Sequence, residues 1–221
     1  MCYNIFVLIA LWRPLLRTSF AGAQILYPHV EVNLKVFDFD NTLYHGESAV
    51  DLAIFMIKNN KKIILYLPKI FINLIKYKLC IVRKEKMVRA INDFMRNALR
   101  DKNEIYEAVE GFWGKNGHKL DRKMLAKISH DDVIITAGPD FLINGIRGII
   151  NTDHIISSRI DSEKMKVRYL NFGENKVKGY KALYGDKRIE CFYTDSYNDK
   201  ALMEISDRVF IVKKGRLTRI K

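Results

Sequence analysis

The sequence predicts an α/β protein in which a doubly wound parallel sheet carries an inserted helical domain. Short apolar segments with strand character alternate with helical segments along the second half of the chain. That order is typical of parallel sheets with helices on both faces. A long stretch with apolar residues near helical spacing separates the first strand from the second. With 221 residues, the chain is long enough for one large domain or for a core with an insertion.

Each element of this fold can be placed on the chain. The predicted strands are residues 32–39, 132–136, 154–157, 188–194 and 208–212. The predicted helices of the core are 141–150, 176–184 and a short helix from Asp199, and residues 162–173 are expected to form a small hairpin. Residues 47–120 are predicted to be helical, and Pro68 is expected to break or begin a helix there. Right-handed crossovers then make the core doubly wound.

Three regions follow from these elements. We expect a core of residues 32–46 and 126–221, a helical insertion of residues 47–125, and an extension of residues 1–31 outside the core. The extension is apolar from Tyr3 to Trp12, with arginines after this run, whereas a signal peptide carries its positive charge before it. The run is also too short to span a bilayer. Residues 1–31 could be an export or anchoring segment, a flexible extension or translated upstream sequence, and we favour the last.

The charge of the chain favours an anionic partner. The formal net charge is +13, and residues 52–104 contain 13 basic and 4 acidic side chains. A phosphate substrate, an acidic lipid headgroup or nucleic acid would fit such a region, and so would solvated helix faces without a partner. The three cysteines, Cys2, Cys80 and Cys191, form no paired motif, which favours a reducing cytoplasm. The histidines lack the spacing of a zinc site.

Polar side chains follow several predicted strands at their carboxyl ends. Asp38 and Asp40 are expected to share one face of the first strand. Two like charges this close repel, which suits a cation between them or a proton on one of them, and the alternative is that both aspartates cap a turn. Thr136 ends the second strand, and three more polar residues follow the fourth: Asp195, Asn198 and Asp199. Ligands of open parallel sheets bind at this edge. Carboxylates there suit magnesium, and with Lys176 nearby they suit phosphoryl transfer.

These segments resemble, in order, the four motifs of the haloacid dehalogenase-like hydrolases. The matching segments are Asp38-Phe39-Asp40-Asn41-Thr42-Leu43, Ile134-Ile135-Thr136-Ala137-Gly138-Pro139, Gly173-Glu174-Asn175-Lys176-Val177 and Tyr193-Thr194-Asp195-Ser196-Tyr197-Asn198-Asp199. The third segment is similar to the subgroup that contains phosphoserine phosphatase. The resemblance covers residues 33–212 and implies a Rossmann-like core, with residues 47–125 as a helical cap that selects the substrate.

The resemblance also implies roles for single residues. Asp38 would be the nucleophile that forms an aspartyl-phosphate, and Asp40 would be the general acid and base. Thr136, the adjacent Ala137 and Lys176 would hold the phosphoryl group, with Asn198 as a further phosphate contact. Lys178 and Lys181, on the same predicted helix, compete with Lys176 for this role. Mg²⁺ would be bound by Asp195, the Asp38 carboxylate and the Asp40 backbone carbonyl. Asp199 would support this metal shell or orient Lys176.

The substrate is less defined than the reaction. Glu47 occupies the place where phosphoserine phosphatases carry a glutamate that reads the substrate's amino group, but it could equally begin the first cap helix. The Thr136-Ala137-Gly138-Pro139 turn is closer to relatives that include phosphatidylglycerophosphatases. The basic, apolar segment from Leu52 to Cys80 could lie on a membrane surface, and we favour the alternative that its apolar residues form the core of the cap.

Three classes of function remain after these considerations. The leading prediction is a magnesium-dependent phosphatase acting on a phosphorylated small molecule or a lipid headgroup. A phosphotransferase that passes the phosphoryl group to an alcohol is the second. The third is a protein that binds membranes or nucleic acid and keeps a relict site, against which the intact acidic and lysine set argues. We therefore expect a cytoplasmic enzyme without a nucleic-acid partner, and with peripheral membrane contact as an alternative.

Overall fold

The computed structural model describes residues 34–58, 60–78, 81, 83–99 and 101–221. Within these residues the chain forms one seven-stranded sheet in the order β4-β3-β2-β1-β5-β6-β7. The strands are β1 Lys35–Asp38, β2 Val133–Pro139, β3 Ile155–Asp161, β4 Lys166–Tyr169, β5 Ile189–Thr194, β6 Ser206–Lys213 and β7 Arg216–Arg219. The five central strands are parallel, and β4 and β7 are antiparallel edges. The predicted fold class is confirmed, while the predicted extension lies outside the described residues.

Helices connect these strands and form the long insertion after β1. The insertion contains α1 Ser48–Ile57, α2 Ile63–Lys78, α3 Lys84–Ala98, α4 Lys102–Asn116 and α5 Arg122–Leu125. The helices of the second half are α6 Asp140–Asn144, α7 Glu174–Tyr184 and α8 Lys200–Glu204. Within the described part of the chain, no helix is both long and apolar enough to cross a membrane.

Alternation along the central strands sends side chains to both faces of the sheet. Val36 and Ile135 belong to one apolar cluster, together with Tyr180 of α7. Phe37 and Ile134 belong to another cluster, which also contains side chains of the insertion. Both faces of the central strands are therefore buried, as the apolar residues Val36 and Phe37 of β1 and the apolar run 133–135 of β2 require.

The insertion is fastened to the turn after β1 at both of its ends. Tyr44 forms a β-bridge with Leu120, and the amide of Asp121 donates to the carbonyl of Leu43 over 2.8 Å. The rings of Tyr44 and Phe39 contact Trp113 of α4 at centroid distances of 5.7 and 6.3 Å. The base of the insertion and the first strand end thus share one apolar core.

Three details of the sequence prediction are wrong. Pro68 lies inside α2, where its ring is exposed and the carbonyl it leaves unpaired can face water. Helix α6 ends at Asn144 instead of continuing to residue 150, since Gly145 and Gly148 disfavour further turns. Strand β7, Arg216–Arg219, was not predicted because its four side chains are all exposed and give no apolar alternation.

Candidate active site

The sheet order brings three of the predicted motifs to one edge. β1 lies between β2 and β5, and all three strands run parallel. Asp38 ends β1, and Asp195 directly follows β5. Thr136 lies within β2, one residue beyond Ile135, which pairs with Asp38, so all three are near the carboxyl ends of neighbouring strands. This is the position at which open parallel sheets bind ligands.

One lysine joins the first and the fourth motif. Lys176 Nζ donates to Asp38 Oδ1 over 2.8 Å and to Asp199 Oδ2 over 2.9 Å. All three side chains are buried. Burial raises the pKa of Asp38 to about 7, because the ion pair with Lys176 only partly offsets the loss of water and Asp199 adds repulsion. The hydrogen bond from Lys176 to Asp38 uses Oδ1, and the other carboxylate oxygen, Oδ2, is not part of it.

The lysine of the third motif is distinguished from its neighbours by burial. Lys176 is buried in the first turn of α7, whereas Lys178 and Lys181 are exposed on the same helix. Lys181 pairs instead with Asp186 at the surface over 2.9 Å. Burial alone would lower the pKa of Lys176, but the ion pairs with Asp38 and Asp199 outweigh it and raise the pKa. Lys176 therefore carries a fixed positive charge at neutral pH.

Asp40 is held by the first helix of the insertion. Its Oδ1 accepts a 2.7 Å hydrogen bond from the backbone N–H of Ser48, the first residue of α1. Burial raises the pKa of Asp40 to about 6, and hydrogen bonding from Ser48 opposes this increase. A carboxyl group that titrates near neutral pH can both give and take a proton. Sequence reasoning missed Ser48 because a backbone donor leaves no mark on residue identity.

The turn after β1 orients both aspartates. The carbonyl of Phe39 accepts from three consecutive amides, those of Thr42, Leu43 and Tyr44. Asn41 adopts a φ of 56°, a left-handed conformation that asparagine tolerates better than most residues. Its side chain donates to Glu47 Oε1 over 3.1 Å and so ties the turn to the start of α1.

The backbone at Thr136 and Ala137 is held by hydrogen bonds from two polar side chains. The side chain of Asn171 donates to the carbonyls of Thr136 and Ile156 over 2.8 and 3.0 Å, and Ser158 Oγ donates to the carbonyl of Ala137 over 2.7 Å. Thr136 itself is buried, and its Oγ1 accepts from the amide of Gly138 over 2.9 Å. Asn171 and Ser158 were not predicted, since isolated polar residues carry no periodic signal.

The remaining predicted site residues lie at the rim. Asp195 is half-buried, and burial together with the charges of Glu47 and Asp199 raises its pKa. Glu47 is exposed at the N-cap position of α1, but its side chain bonds Asn41 and does not cap the helix. Asn198 is exposed in a short 3₁₀ turn, Tyr197–Asp199, and its backbone N–H donates to Ser196 Oγ. The structure thus brings Asp38, Lys176 and Asp199 into contact and leaves Asn198 at the surface.

The charges of this edge fit a hard divalent cation. Asp38, Asp40, Asp195 and Asp199 surround a single ammonium group, so negative charge is in excess when they are ionised. The pKa values of Asp38, Asp40 and Asp195 are raised mainly because burial disfavours the charged form, and repulsion from neighbouring carboxylates adds to the free-energy cost of ionising them together. Carboxylate oxygens are the ligands that Mg²⁺ prefers, and a bound cation would remove the cost.

A second group of possible metal ligands lies elsewhere. Among the described residues, His130, Asp131 and His154 have ligand atoms within 4.8 Å of one another, and all three side chains are exposed. They precede β2 and β3, at the amino ends of these strands, and so lie at the opposite edge of the sheet from Asp38. This group is not part of the candidate active site.

Comparison with known proteins agrees with the architecture. No curated protein matches the chain. A protein of unknown function from Bordetella pertussis Tohama I is 19% identical with a TM-score of 0.62, covering 80% of this chain and 87% of its own. A hydrolase from Salmonella enterica serovar Typhi is 13% identical, with a TM-score of 0.55 and coverage of 78% and 59%. A probable phosphoserine phosphatase from Vibrio cholerae is 10% identical, with a TM-score of 0.54 and coverage of 79% and 55%.

At these identities the three structures establish a shared fold. The family assignment rests on the sequence itself, since the model of the haloacid dehalogenase-like hydrolases matches residues 36–204. That range contains the first strand, the helical insertion and the edge with Asp38, Lys176 and Asp199. The chain therefore belongs to the haloacid dehalogenase-like hydrolase family.

Proposed function

We propose that this hydrolase is a magnesium-dependent phosphatase that cleaves a phosphomonoester through an aspartyl-phosphate on Asp38. The observation that carries the proposal is the bridge of Lys176 to Asp38 and Asp199, at 2.8 and 2.9 Å. It places a buried cation beside the carboxylate of the first motif, where the charge of a transferring phosphoryl group would develop. Residues 47–125 would act as the cap over this site.

The first half of the reaction uses two carboxyl groups in different protonation states. The oxygen of Asp38 that Lys176 does not hold attacks phosphorus, and the bond from phosphorus to the ester oxygen breaks. Asp40, protonated and oriented by Ser48, gives its proton to the leaving oxygen. Lys176 and Thr136 stabilise the phosphoryl oxygens during this step.

The second half regenerates the enzyme. Asp40, now ionised, takes a proton from a water molecule as that water attacks the phosphorus of the aspartyl-phosphate. The bond between phosphorus and the Asp38 oxygen breaks, which releases phosphate and the free carboxylate. Asp38, the backbone carbonyl of Asp40, and Asp195 would hold Mg²⁺, with Asp199 supporting this shell. When bound, the cation supplies charge neutralisation between the carboxylates and the phosphoryl group.

The substrate class remains a proposal within this function. Glu47 is exposed at the start of α1 and accepts from Asn41 in the turn that carries Asp40, and its charge acts on both Asp40 and Asp195. A substrate with a cationic group near the phosphate, such as phosphoserine, would fit this carboxylate. Ala137 and Asn198 stay predicted phosphate contacts. Release of phosphate from phosphoserine, sugar phosphates, nucleotides and phosphatidylglycerophosphate, measured side by side, would identify the class.

Magnesium is expected to restore both stability and activity to protein stripped with EDTA. At about one hundred times its dissociation constant, a bound ion adds about 2.7 kcal/mol to the free energy of unfolding. Because raised pKa values at Asp38 and Asp195 mean that protons compete with the ion, the increase in melting temperature should be larger at pH 8 than at pH 6. Hydrolysis of p-nitrophenyl phosphate should appear with the ion and stop with EDTA.

Two variants locate the effect of magnesium. Asp195→Asn should lose the increase in melting temperature, whereas Asp131→Asn, in the exposed group at the opposite edge, should keep it. An equal loss in both variants, or hydrolysis that continues in EDTA, would contradict the proposed magnesium site.

The amide of Ser48 is expected to control the proton transfer by Asp40. Ser48→Pro removes this N–H at the first helical position, where proline is well tolerated, and Ser48→Ala keeps it. A hydrogen bond to a charged group contributes about 1.5–3 kcal/mol, so kcat of Ser48→Pro should fall about tenfold or more. The dependence of kcat on pH should also change in Ser48→Pro. Loss of the donor raises the pKa of Asp40, so the limb of the profile that reports the titration of Asp40 should move to higher pH.

The comparison with Ser48→Ala is the control in this experiment. That variant keeps the amide but loses the hydroxyl, which also lowers the pKa of Asp40, so its pH profile should shift less than that of Ser48→Pro and it should lose far less activity. If the two variants behave alike, the Ser48 amide has no role in positioning Asp40.

A further inference from the structure

The outer surface of helix α2 is apolar where a helix of a globular domain is normally polar. Four large aliphatic side chains of this helix, Ile64, Leu65, Ile72 and Ile75, are between 42 and 77% exposed. Asn73 lies among them in sequence but is 7% exposed, and its side chain donates to the carbonyl of Lys69 over 2.7 Å. The helix thus turns an asparagine inward and isoleucines outward.

The exposed residues form one continuous stripe. At about 100° per residue, Ile64, Leu65, Ile72 and Ile75 fall within about one third of the helix circumference, and the exposed Pro68 lies among them. Lys69 and Lys76 of α2, together with Lys62 one residue before the helix begins, recur every seven residues along one border of this stripe. All three lysines are exposed, and Lys69 also pairs with Asp93 over 3.1 Å.

The core of the insertion does not account for the stripe. Ile63 on the opposite side of α2 is fully buried and belongs to the main apolar cluster, as do Leu52 and Met56 of α1. The insertion therefore has its own buried residues in addition to the exposed ones. The sequence-based expectation that the apolar residues of this segment fill the cap interior holds for part of the segment only.

We propose that this face of α2, consisting of Ile64, Leu65, Pro68, Ile72 and Ile75 with the bordering Lys62, Lys69 and Lys76, binds the surface of an anionic phospholipid bilayer. A helix that carries an apolar stripe beside lysines lies in the plane of such a surface, with the apolar side chains at the acyl boundary and the ammonium groups at the phosphates. The excess of basic residues over residues 52–104 has the matching sign.

Other occupants fit the same face less well. In an antiparallel twofold dimer the same patch would meet itself, and the lysine row of one copy would lie beside that of the other. Nucleic acid would use the lysines but would leave the apolar stripe in water. The bilayer is the partner that uses both halves of the face.

This proposal is independent of the proposed catalytic function. None of its residues is among the side chains assigned to the active site, so enzymatic activity and membrane binding can be measured separately. If both hold, the phosphatase would work at a membrane surface without a spanning helix in the described part of the chain.

The test is sedimentation of the full chain with vesicles. Binding is expected to vesicles of phosphatidylcholine mixed with phosphatidylglycerol, and to be weak with phosphatidylcholine alone or at high salt. Replacing Leu65 and Ile72 together by glutamine should reduce the partition coefficient about tenfold or more, because two apolar side chains no longer enter the acyl boundary. Replacing Lys62 and Lys76 by glutamine should reduce it about tenfold on anionic vesicles only.

A matched control lies on the catalytic core. Leu183 of α7 is also highly exposed, and Leu183→Gln should bind vesicles like the unmodified chain. Circular dichroism and hydrolysis of the soluble aryl phosphate should be unchanged in the α2 variants. Binding unaffected by the α2 changes, equal loss in Leu183→Gln, no binding to anionic vesicles, or a dimer that the Leu65/Ile72 variant dissociates would each overturn the proposal.

Discussion

Asp38→Asn is expected to lower kcat/KM for p-nitrophenyl phosphate by about 10³-fold or more, in line with the loss of other catalytic nucleophiles. The amide has no oxygen that can attack phosphorus, although its Oδ1 can still accept the hydrogen bond from Lys176. The geometry around Lys176 and Asp199 should therefore persist, and the variant should fold. Steady-state kinetics on the magnesium-loaded protein measure the effect.

The control for this variant is a change of the same chemistry at the surface. Asp186 is exposed, pairs with Lys181 and precedes β5, at the edge of the sheet opposite to Asp38, so Asp186→Asn should keep full activity. A second measurement follows the phosphoenzyme directly, since acid-quenched Asp38→Asn should carry no labelled phosphate. Undiminished turnover by a folded Asp38→Asn protein would remove Asp38 from the role of nucleophile.

Lys176→Met is expected to impair stability as well as activity. The change leaves Asp38 and Asp199 buried without their shared cation, and removing one partner of a buried ion pair costs about 3–5 kcal/mol. Because the ion pairs raise the pKa of Lys176, its contribution to folding is complete below its unfolded pKa, about 10.4, and is lost only as pH rises through the folded value. Urea unfolding at pH 7.5 therefore measures the whole effect.

Helix α7 offers the matched comparison for Lys176. Lys178 is exposed one half-turn further along, and Lys178→Met removes the same charge from the same helix. The free energy of unfolding of this variant should stay within about 0.5 kcal/mol of that of the unmodified protein, and its activity should be retained. Equal stabilities of the two variants would mean that the bridge does not contribute to folding.

Much of the candidate site could be predicted from local sequence. Asp38 and Asp40 follow an apolar strand with the spacing that puts both on one face, and Thr136 and Asp195 follow two further strands. Because parallel strands end at the same edge of a sheet, the strand assignments alone were enough to predict that these groups lie at one edge. The choice of Lys176 over Lys178 and Lys181 is different in kind, since burial depends on how α7 packs on the sheet.

What the sequence did not indicate depends on backbone groups or on exposure. The Ser48 amide acts through a main-chain atom, and Asn171 fixes Thr136 through a carbonyl, so neither contact has a residue pattern. Strand β7 is an edge strand whose four side chains are all exposed. The outward isoleucines of α2 were visible as apolar residues, but their direction could be assigned only once Ile63 and Asn73 were seen to point inward.

The aromatic contacts of Phe39 and Tyr44 with Trp113 bear on how the insertion relates to the sheet during folding. Their rings belong to the same buried cluster as Phe37 and Ile134. Excision of the insertion would strip this cluster of its cover at the point where the two aspartates are positioned. We therefore expect α4 and the first strand to unfold together, so that the turn after β1 depends for its support on Trp113, which lies 69 residues after Tyr44.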